Sequence, residues 1–272
     1  MAVIAVAANA HLDRVWRLAA PLRVGGRNVR TAVETRLGGG GFNTGSVLLA
    51  LGHRVRLVAT LADDAAGHAR HAALAARGFD VDHVTMVSGE TVPLEILLDP
   101  AGDRTIVSPA DQPPAPTALP MAGVDLAYVN LRSAPGAPDV VRAHAARIVA
   151  QLPLRPGERR PARILIASRS DMGDDDTAIM AHARASAGDA VEAVVVTAGA
   201  GPITVLSAGP PRRIPVEPLA DATDTTGAGD FLAAGLLDGL AGGATIADAA
   251  AHGAEIARRV LADRSRFVDD RL

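Results

Sequence analysis

Lysine is missing altogether: all 27 basic residues of the 272-residue chain are arginine. That excludes a phosphate-binding loop of the G-x-x-x-x-G-K-[ST] type and any mechanism through a lysine imine. Cysteine is missing as well, which rules out disulfides, thiolate nucleophiles and Cys-ligated zinc and fits a reducing compartment such as the cytoplasm. Aromatic residues are 2% of the composition and the net charge is −3. A nucleic-acid binder needs a basic surface and stacking rings, so no nucleic-acid partner is expected. No apolar run reaches the ~18 residues of a membrane span, and no membrane partner is expected either. The opening MAVIAVAANA ends in the A-x-A pattern of a processing site. It lacks a basic leader and its apolar run is short, so it reads as a first buried strand.

What is present suits a folded globular chain, with 49% apolar and 21% charged residues. The length exceeds the ~100–200 residues of a typical domain, which favours one large α/β domain with a small appendage over two equal ones. Short β-branched segments alternate with Ala/Leu/Arg stretches, the rhythm of a mainly parallel sheet flanked by helices. Central strands are expected at Ala2–Ala8, Ala162–Ala167 and Ala193–Thr197. Helices are expected near Asn43–Leu51, Ala66–Arg77, Val140–Gln151, Asp175–Ala187, Ala228–Leu240 and Ile246–Leu261. Arg14–Arg36 and Val84–Val107 break this rhythm. The alternation in Thr91–Leu98 and a turn at Asp99–Asp103 predict antiparallel strands forming a separate small sheet. Proline-rich stretches at Pro109–Pro120 and Pro153–Pro161 read as loops.

The segment most specific for chemistry is Asp224-Thr225-Thr226-Gly227-Ala228-Gly229-Asp230, leading into the apolar helix. Small residues at Gly227, Ala228 and Gly229 let successive amides face one point, where a helix start adds partial positive charge. A carboxylate in the first turn sets a proton acceptor beside that anion site, so a hydroxyl held between them can lose its proton while attacking phosphorus. The plainer alternative is that Asp230 complements the helix dipole and the glycines make a turn.

A second segment, Gly38-Gly39-Gly40-Gly41-Phe42-Asn43, allows close backbone approach to a small ligand and offers an amide that both donates and accepts. It also reads as a glycine loop entering a helix capped by Asn43. Asp13, after the first strand in Asn9-Ala10-His11-Leu12-Asp13, sits where α/β sheets commonly bind ligands, or is a solvated turn residue. Thr197-Ala198-Gly199-Ala200-Gly201 follows another strand; neither glycine segment fits a G-x-G-x-x-G dinucleotide turn. His68 and His71 share a helix face without a third metal ligand and read as solvated.

Taken together these segments resemble the ribokinase-like (pfkB) carbohydrate kinases over Ala2 to about Val260, with the order of first strand, glycine loop, β excursion and terminal signature kept. The resemblance implies a three-layer α/β fold whose core is residues 1–13, 37–83 and 108–272, with a small β-sheet lid from 14–36 and 84–107. It implies phosphorylation of a sugar hydroxyl by ATP, with Asp230 as general base and Gly227, Ala228 and Gly229 as anion hole. Asp13, Gly39, Gly40, Gly41 and Asn43 are the implied substrate residues, with Asn9 weaker, and Thr197, Gly199, Gly201 and Thr225 the implied nucleotide residues. Asp171, in Ser168-Arg169-Ser170-Asp171, stands near the place of a magnesium-ordering glutamate. Asp224 and Thr226 match positions whose carbonyls line a monovalent-cation site, potassium in particular. A homodimer through the lid is also implied. The chain departs from the pattern in lacking the asparagine before Asp171, the first glycine of the turn at Ala62–Gly67, and much of the adenine-side loop after Val260. A nucleoside or sugar-phosphate acceptor, the latter held by Arg27, Arg30, Arg104 or Arg132, remains an alternative, as does a sensing protein without catalysis.

Overall fold

The computed structural model describes residues 1–131, 138–153, 157–219 and 224–271. From the N-terminus the chain forms β1 (Val3–Ala8), β2 (His11–Leu18), β3 (Arg30–Gly38), α1 (Gly39–Ala50), β4 (Arg54–Ala62), α2 (Ala65–Ala76) and β5 (Asp80–Val87). Then come β6 (Leu94–Leu98), β7 (Arg104–Val107), β8 (Leu126–Asn130), α3 (Pro138–Ala143), β9 (Ile148–Gln151) and β10 (Ile164–Ser168). The last part contains α4 (Arg169–Met172), α5 (Asp176–Ala187), β11 (Ala193–Ala198), β12 (Gly201–Leu206), β13 (Arg212–Ile214), α6 (Ala228–Ala241) and α7 (Ile246–Ala262).

Nine strands form one sheet in the order β13-β12-β11-β10-β9-β8-β1-β4-β5. Seven run parallel, and β12 and β13 return antiparallel at one edge. Successive side chains on a strand face opposite sides, and β1 shows the result directly. Ile4, Val6 and Ala8 pack with Phe42, Leu48, Phe231 and Ile256 of α1, α6 and α7. Ala5 and Ala7 pack with Val141, Ile179 and Ala183 of α3 and α5. A strand covered on both faces must be apolar throughout, which is why the opening segment has no polar alternation.

The helix expected over Val140–Gln151 is two elements. Helix α3 ends at Ala143, and Ile148–Gln151 is strand β9, wedged in parallel between β8 and β10. An Ala/Arg-rich run with helical spacing is overridden here by two flanking strands that leave a buried slot, since Ile148, Val149 and Ala150 are fully covered.

The four remaining strands make the expected small sheet, in the order β3-β2-β6-β7. Two differences from expectation stand out. The β2–β6 pair is parallel, because β5 and α2 lie between those strands in sequence and return the chain in the same direction. Residues 84–87 pair with β4 in the large sheet, so the second excursion starts after Val87. The small sheet has its own limited core of Val15, Ile96 and Leu98.

The large sheet decides where a ligand can sit. From β1 the order runs to β4 on one side and β8 on the other, and crevices of this kind open beyond the carboxyl ends of the strands. The ends Ala8 and Asn130 are in register there. Helix α6 meets the crevice with its N-terminus, and its far end is pinned by Asp238, which accepts from His53 Nε2 at 2.8 Å and His252 Nε2 at 2.6 Å. His53 Nδ1 accepts the Ala2 amide at 3.2 Å, which leaves its Nε2 to donate.

Candidate active site

Asp230 lies in the first turn of α6, half-buried, facing the crevice. Its Oδ2 accepts from Asn43 Nδ2 at 2.9 Å and its Oδ1 from Asn130 Nδ2 at 3.3 Å. Burial pushes its pKa up, and the two amides together with Arg264 and Arg104 oppose that shift without cancelling it. A carboxylate held on both oxygens yet made more basic by its surroundings is placed to take a proton.

The helix start explains the local sequence. Gly227 caps α6 with φ +88°, a left-handed conformation that costs a side-chain-bearing residue about 1–2 kcal/mol. Among the first-turn amides, that of Ala228 donates to Thr225 O at 3.1 Å. Those of Gly229 and Asp230 have no carbonyl of their own helix to reach, which is the usual state of helix starts and makes them anion donors. The first-turn amides without a partner in their own helix are thus those of Gly229 and Asp230.

The glycine run is divided in its work. Helix α1 already begins at Gly39, so Asn43 is inside it and does not cap it; the N-cap is Gly38, without a side-chain bond. A Cβ on Gly40 would lie 2.7 Å from Asn130 Nδ2 and 3.1 Å from Asp230 Oδ1. Only a bare backbone lets α1 come so near the carboxylate. The Gly41 amide donates to Asn9 O at 2.9 Å, which ties α1 to the end of β1. Asn43, 3% exposed, has its carbonyl oxygen engaged by Arg264 Nη2 at 3.3 Å.

Asp13 is in β2, opposite Arg36 of β3, and is 4% exposed. Its Oδ1 finds no hydrogen-bond donor among the described residues. Burial pushes its pKa up to about 6 against the pull of Arg36 and Arg264. A buried carboxylate oxygen without a donor is costly unless something else supplies one, and a ligand hydroxyl would.

Two cavities meet at Gly229. A cavity of about 240 Å³ is lined by Asn130, Gln151, Leu152, Asp171, Gly229 and Asp230. A larger one of about 1190 Å³ shares Gln151, Asp171 and Gly229 with it and extends along Thr197, Ala198, Gly199, Thr225, Leu232 and Leu261. Gly201 opens β12 and does not line it.

Residues 164–265 match the profile described as pfkB family carbohydrate kinase. A putative ribokinase from Agrobacterium tumefaciens superimposes with a TM-score of 0.75 at 20% identity, over 98% of this chain and 94% of that one. Ribokinase from Arabidopsis thaliana, solved with ribose and ATP, gives 0.72 at 18% over 99% and 96%. The nucleoside kinase of Burkholderia thailandensis, solved with inosine, gives 0.70 at 16% over 98% and 93%. The fold is ribokinase-like. Among curated proteins none matches the sequence.

In this ribokinase-like chain the structure brings together Asp13, Gly40, Asn43, Gly229 and Asp230 from distant parts of the sequence. It adds three residues that the sequence did not single out for this site. Asn130 ends a five-residue strand that had not been recognised; a polar residue closing an apolar run was the available signal. Arg36 donates to Asp224 Oδ2 at 2.9 Å. Arg264 reaches Asn43 and Thr226 from a turn after α7. Arg104, considered only for an acceptor phosphate, projects from β7 to Thr225 Oγ1 at 2.9 Å and lines the large cavity. Arg30 instead stacks on Trp16, 4.4 Å from the ring centroid. Arg132 lies outside the described residues.

The implied ions fare differently. Asp171 borders both cavities, and magnesium is commonly held by one or two carboxylates plus substrate phosphates, so a single carboxylate there fits. The monovalent cation does not fit the same way: Thr226 O already accepts from Arg264 Nη1 at 2.9 Å. No helix among the described residues is long and apolar enough to cross a membrane.

Proposed function

We propose that this chain transfers the terminal phosphoryl group of ATP to a hydroxyl of a small sugar. The observation that carries the reading is Asp230: a carboxylate made more basic by burial, held by two amides, beside the Gly229 amide where the two cavities join. Asp13 accepts from acceptor hydroxyls through the oxygen that lacks a donor, and Asn130 lines the smaller cavity. The acceptor O–H gives its proton to Asp230 as its oxygen bonds to phosphorus, and the bond to the ADP oxygen breaks with its electron pair leaving on ADP. The Gly229 and Asp230 amides stabilise the charge on the transferred group. Magnesium bound through Asp171 would neutralise phosphate charge.

The large cavity takes the nucleotide, its apolar end at Leu232, Ala257 and Leu261 suited to a base and its mouth at Thr197–Gly199 and Thr225 to the phosphates. The small sheet serves as lid: β2 and β3 carry Asp13 and Arg36 at their roots, and β7 extends Arg104 toward the transfer point. Closing it excludes water, which otherwise competes as acceptor. A lid sheet also offers a surface for pairing two copies of the chain.

Release of ADP, measured across pentoses, hexoses, phosphorylated hexoses and nucleosides, tests the reading. Acceptor-dependent ADP release with a free sugar is the expected result. Preference for a nucleoside moves the acceptor class, and binding of ATP and sugar without ADP release under varied magnesium overturns the catalytic reading in favour of a sensor.

A further inference from the structure

Arg264 touches more of this site than any catalytic role so far accounts for. Its Nη1 donates to Thr226 O at 2.9 Å, its Nη2 to Asn43 Oδ1 at 3.3 Å and its Nε to Asp270 Oδ2 at 3.2 Å. The guanidinium carbon lies 5.3 Å from the centroid of Phe231, the residue after Asp230. One planar, permanently charged fork is thus fixed on four sides, a geometry that an ammonium group cannot reproduce.

Two consequences follow from those contacts. The first concerns the Asn43 amide. With Oδ1 facing Arg264, Nδ2 must face Asp230; the flipped amide would set two donors against each other and leave the Asp230 oxygen without its 2.9 Å partner. Arg264 therefore orients the donor that orients the carboxylate. The second concerns charge. Asp13, Asp224, Asp230 and Asp270 gather around this junction, and Arg36 and Arg264 enter it from opposite ends of the chain: Arg36 takes Asp224 at 2.9 Å and Arg264 takes Asp270 and the Thr226 carbonyl. A diffusible cation at that carbonyl would meet an arginine already in place.

We infer that Arg264 is a positioning residue for Asp230 and a built-in cation, which fills at Thr226 O the place of a monovalent ion and makes the reaction independent of one. The inference rests on the proposed phosphoryl transfer for its kinetic arm only.

The test compares wild type with Arg264→Ala in potassium, sodium and choline chloride at equal ionic strength, and adds crystals soaked in thallium(I), a strongly scattering potassium analogue. Wild-type turnover is expected to be the same in all three salts, and wild-type crystals to show no thallium at Thr226 O. Arg264→Ala is expected to lose about 10–100-fold in kcat in choline, from the loss of charge-assisted bonds that hold the base. It is expected to regain part of that loss with potassium or guanidinium and to bind thallium at Thr226 O. Strong activation of the wild type by potassium, a thallium peak at Thr226 O in the wild type, or an unimpaired Arg264→Ala would each overturn the inference. Should Arg264→Ala not fold, the two wild-type measurements decide it alone. If the wild type turns over no acceptor, the kinase reading fails while the thallium map still answers the cation question.

Discussion

Around Asp230 the side chains hold one another: Asn43 and Asn130 on its two oxygens, Arg264 on Asn43, Arg36 on Asp224. Beyond Gly229 the picture changes. The cavity of about 1190 Å³ is walled by the turn after β11, the start of α4 and the face of α7; of its four arginines, Arg169 is paired with Asp176, while Arg104, Arg213 and Arg258 are exposed or partly so. The difference teaches where preorganisation matters. In the proposed transfer, misplacement of a proton acceptor by an ångström costs rate, which favours a base locked before the ligand arrives. A nucleotide brings several charges of its own, and for it open walls with adaptable side chains suffice.

The sharpest way to break this comparison is Asp230→Asn, which removes the base while leaving an acceptor for one of the two amides. Turnover is expected to fall about 10²–10⁴-fold with ATP binding retained, measured by ADP release and by calorimetric titration with a non-hydrolysable nucleotide. Near-normal turnover would show that the locked network serves structure alone.

Asp13→Asn separates binding from stability. Losing a charged acceptor of substrate hydroxyls is expected to raise KM for the sugar about 10–100-fold. The effect on stability has the opposite sign. Folding raises the pKa of Asp13 from 3.8 to about 6, so the folded state holds its proton more tightly and the wild type loses stability as pH rises from about 4 to about 6. Above that window the charged carboxylate destabilises by up to about 3 kcal/mol. Asp13→Asn is therefore expected to melt higher than wild type at pH 7, with the gap closing toward pH 4. A gap independent of pH would remove the buried-charge explanation.

The mildest change is expected on the open side. Arg104→Ala removes an exposed arginine that donates to Thr225 Oγ1, and it should raise KM for ATP or lower kcat by about 3–10-fold without shifting the melting temperature. A loss comparable to that of Asp230→Asn would place Arg104 among the groups that stabilise transferred charge and would erase the contrast between the two sides.

How far the sequence could be read follows the same division. Asn43 and Asp230 drew attention because each sits in or beside a glycine-rich segment, and Asp13 because it follows the first apolar run. The large sheet was legible from continuous apolar runs covered on both faces. Asn130 was not, since a five-residue strand with one polar terminus resembles many loop edges. Arg264 was not, because it is one of 27 arginines in a chain with no lysine for contrast, and its value comes from partners more than 35 residues away. The misread stretch 140–151 shows the limit of periodicity: an Ala/Arg-rich segment satisfies a helical pattern equally well when neighbouring strands draw its last four residues into a sheet.

Strand β7 pairs on one side only, and all four of its residues face solvent. An outermost ribbon that shields almost no greasy surface can swing through many positions at little thermodynamic penalty. Helix α6, by contrast, is bolted at its far end through two histidines to the second residue of the chain and to its neighbour α7. Any movement is thus easier for that ribbon than for the helix that carries Asp230.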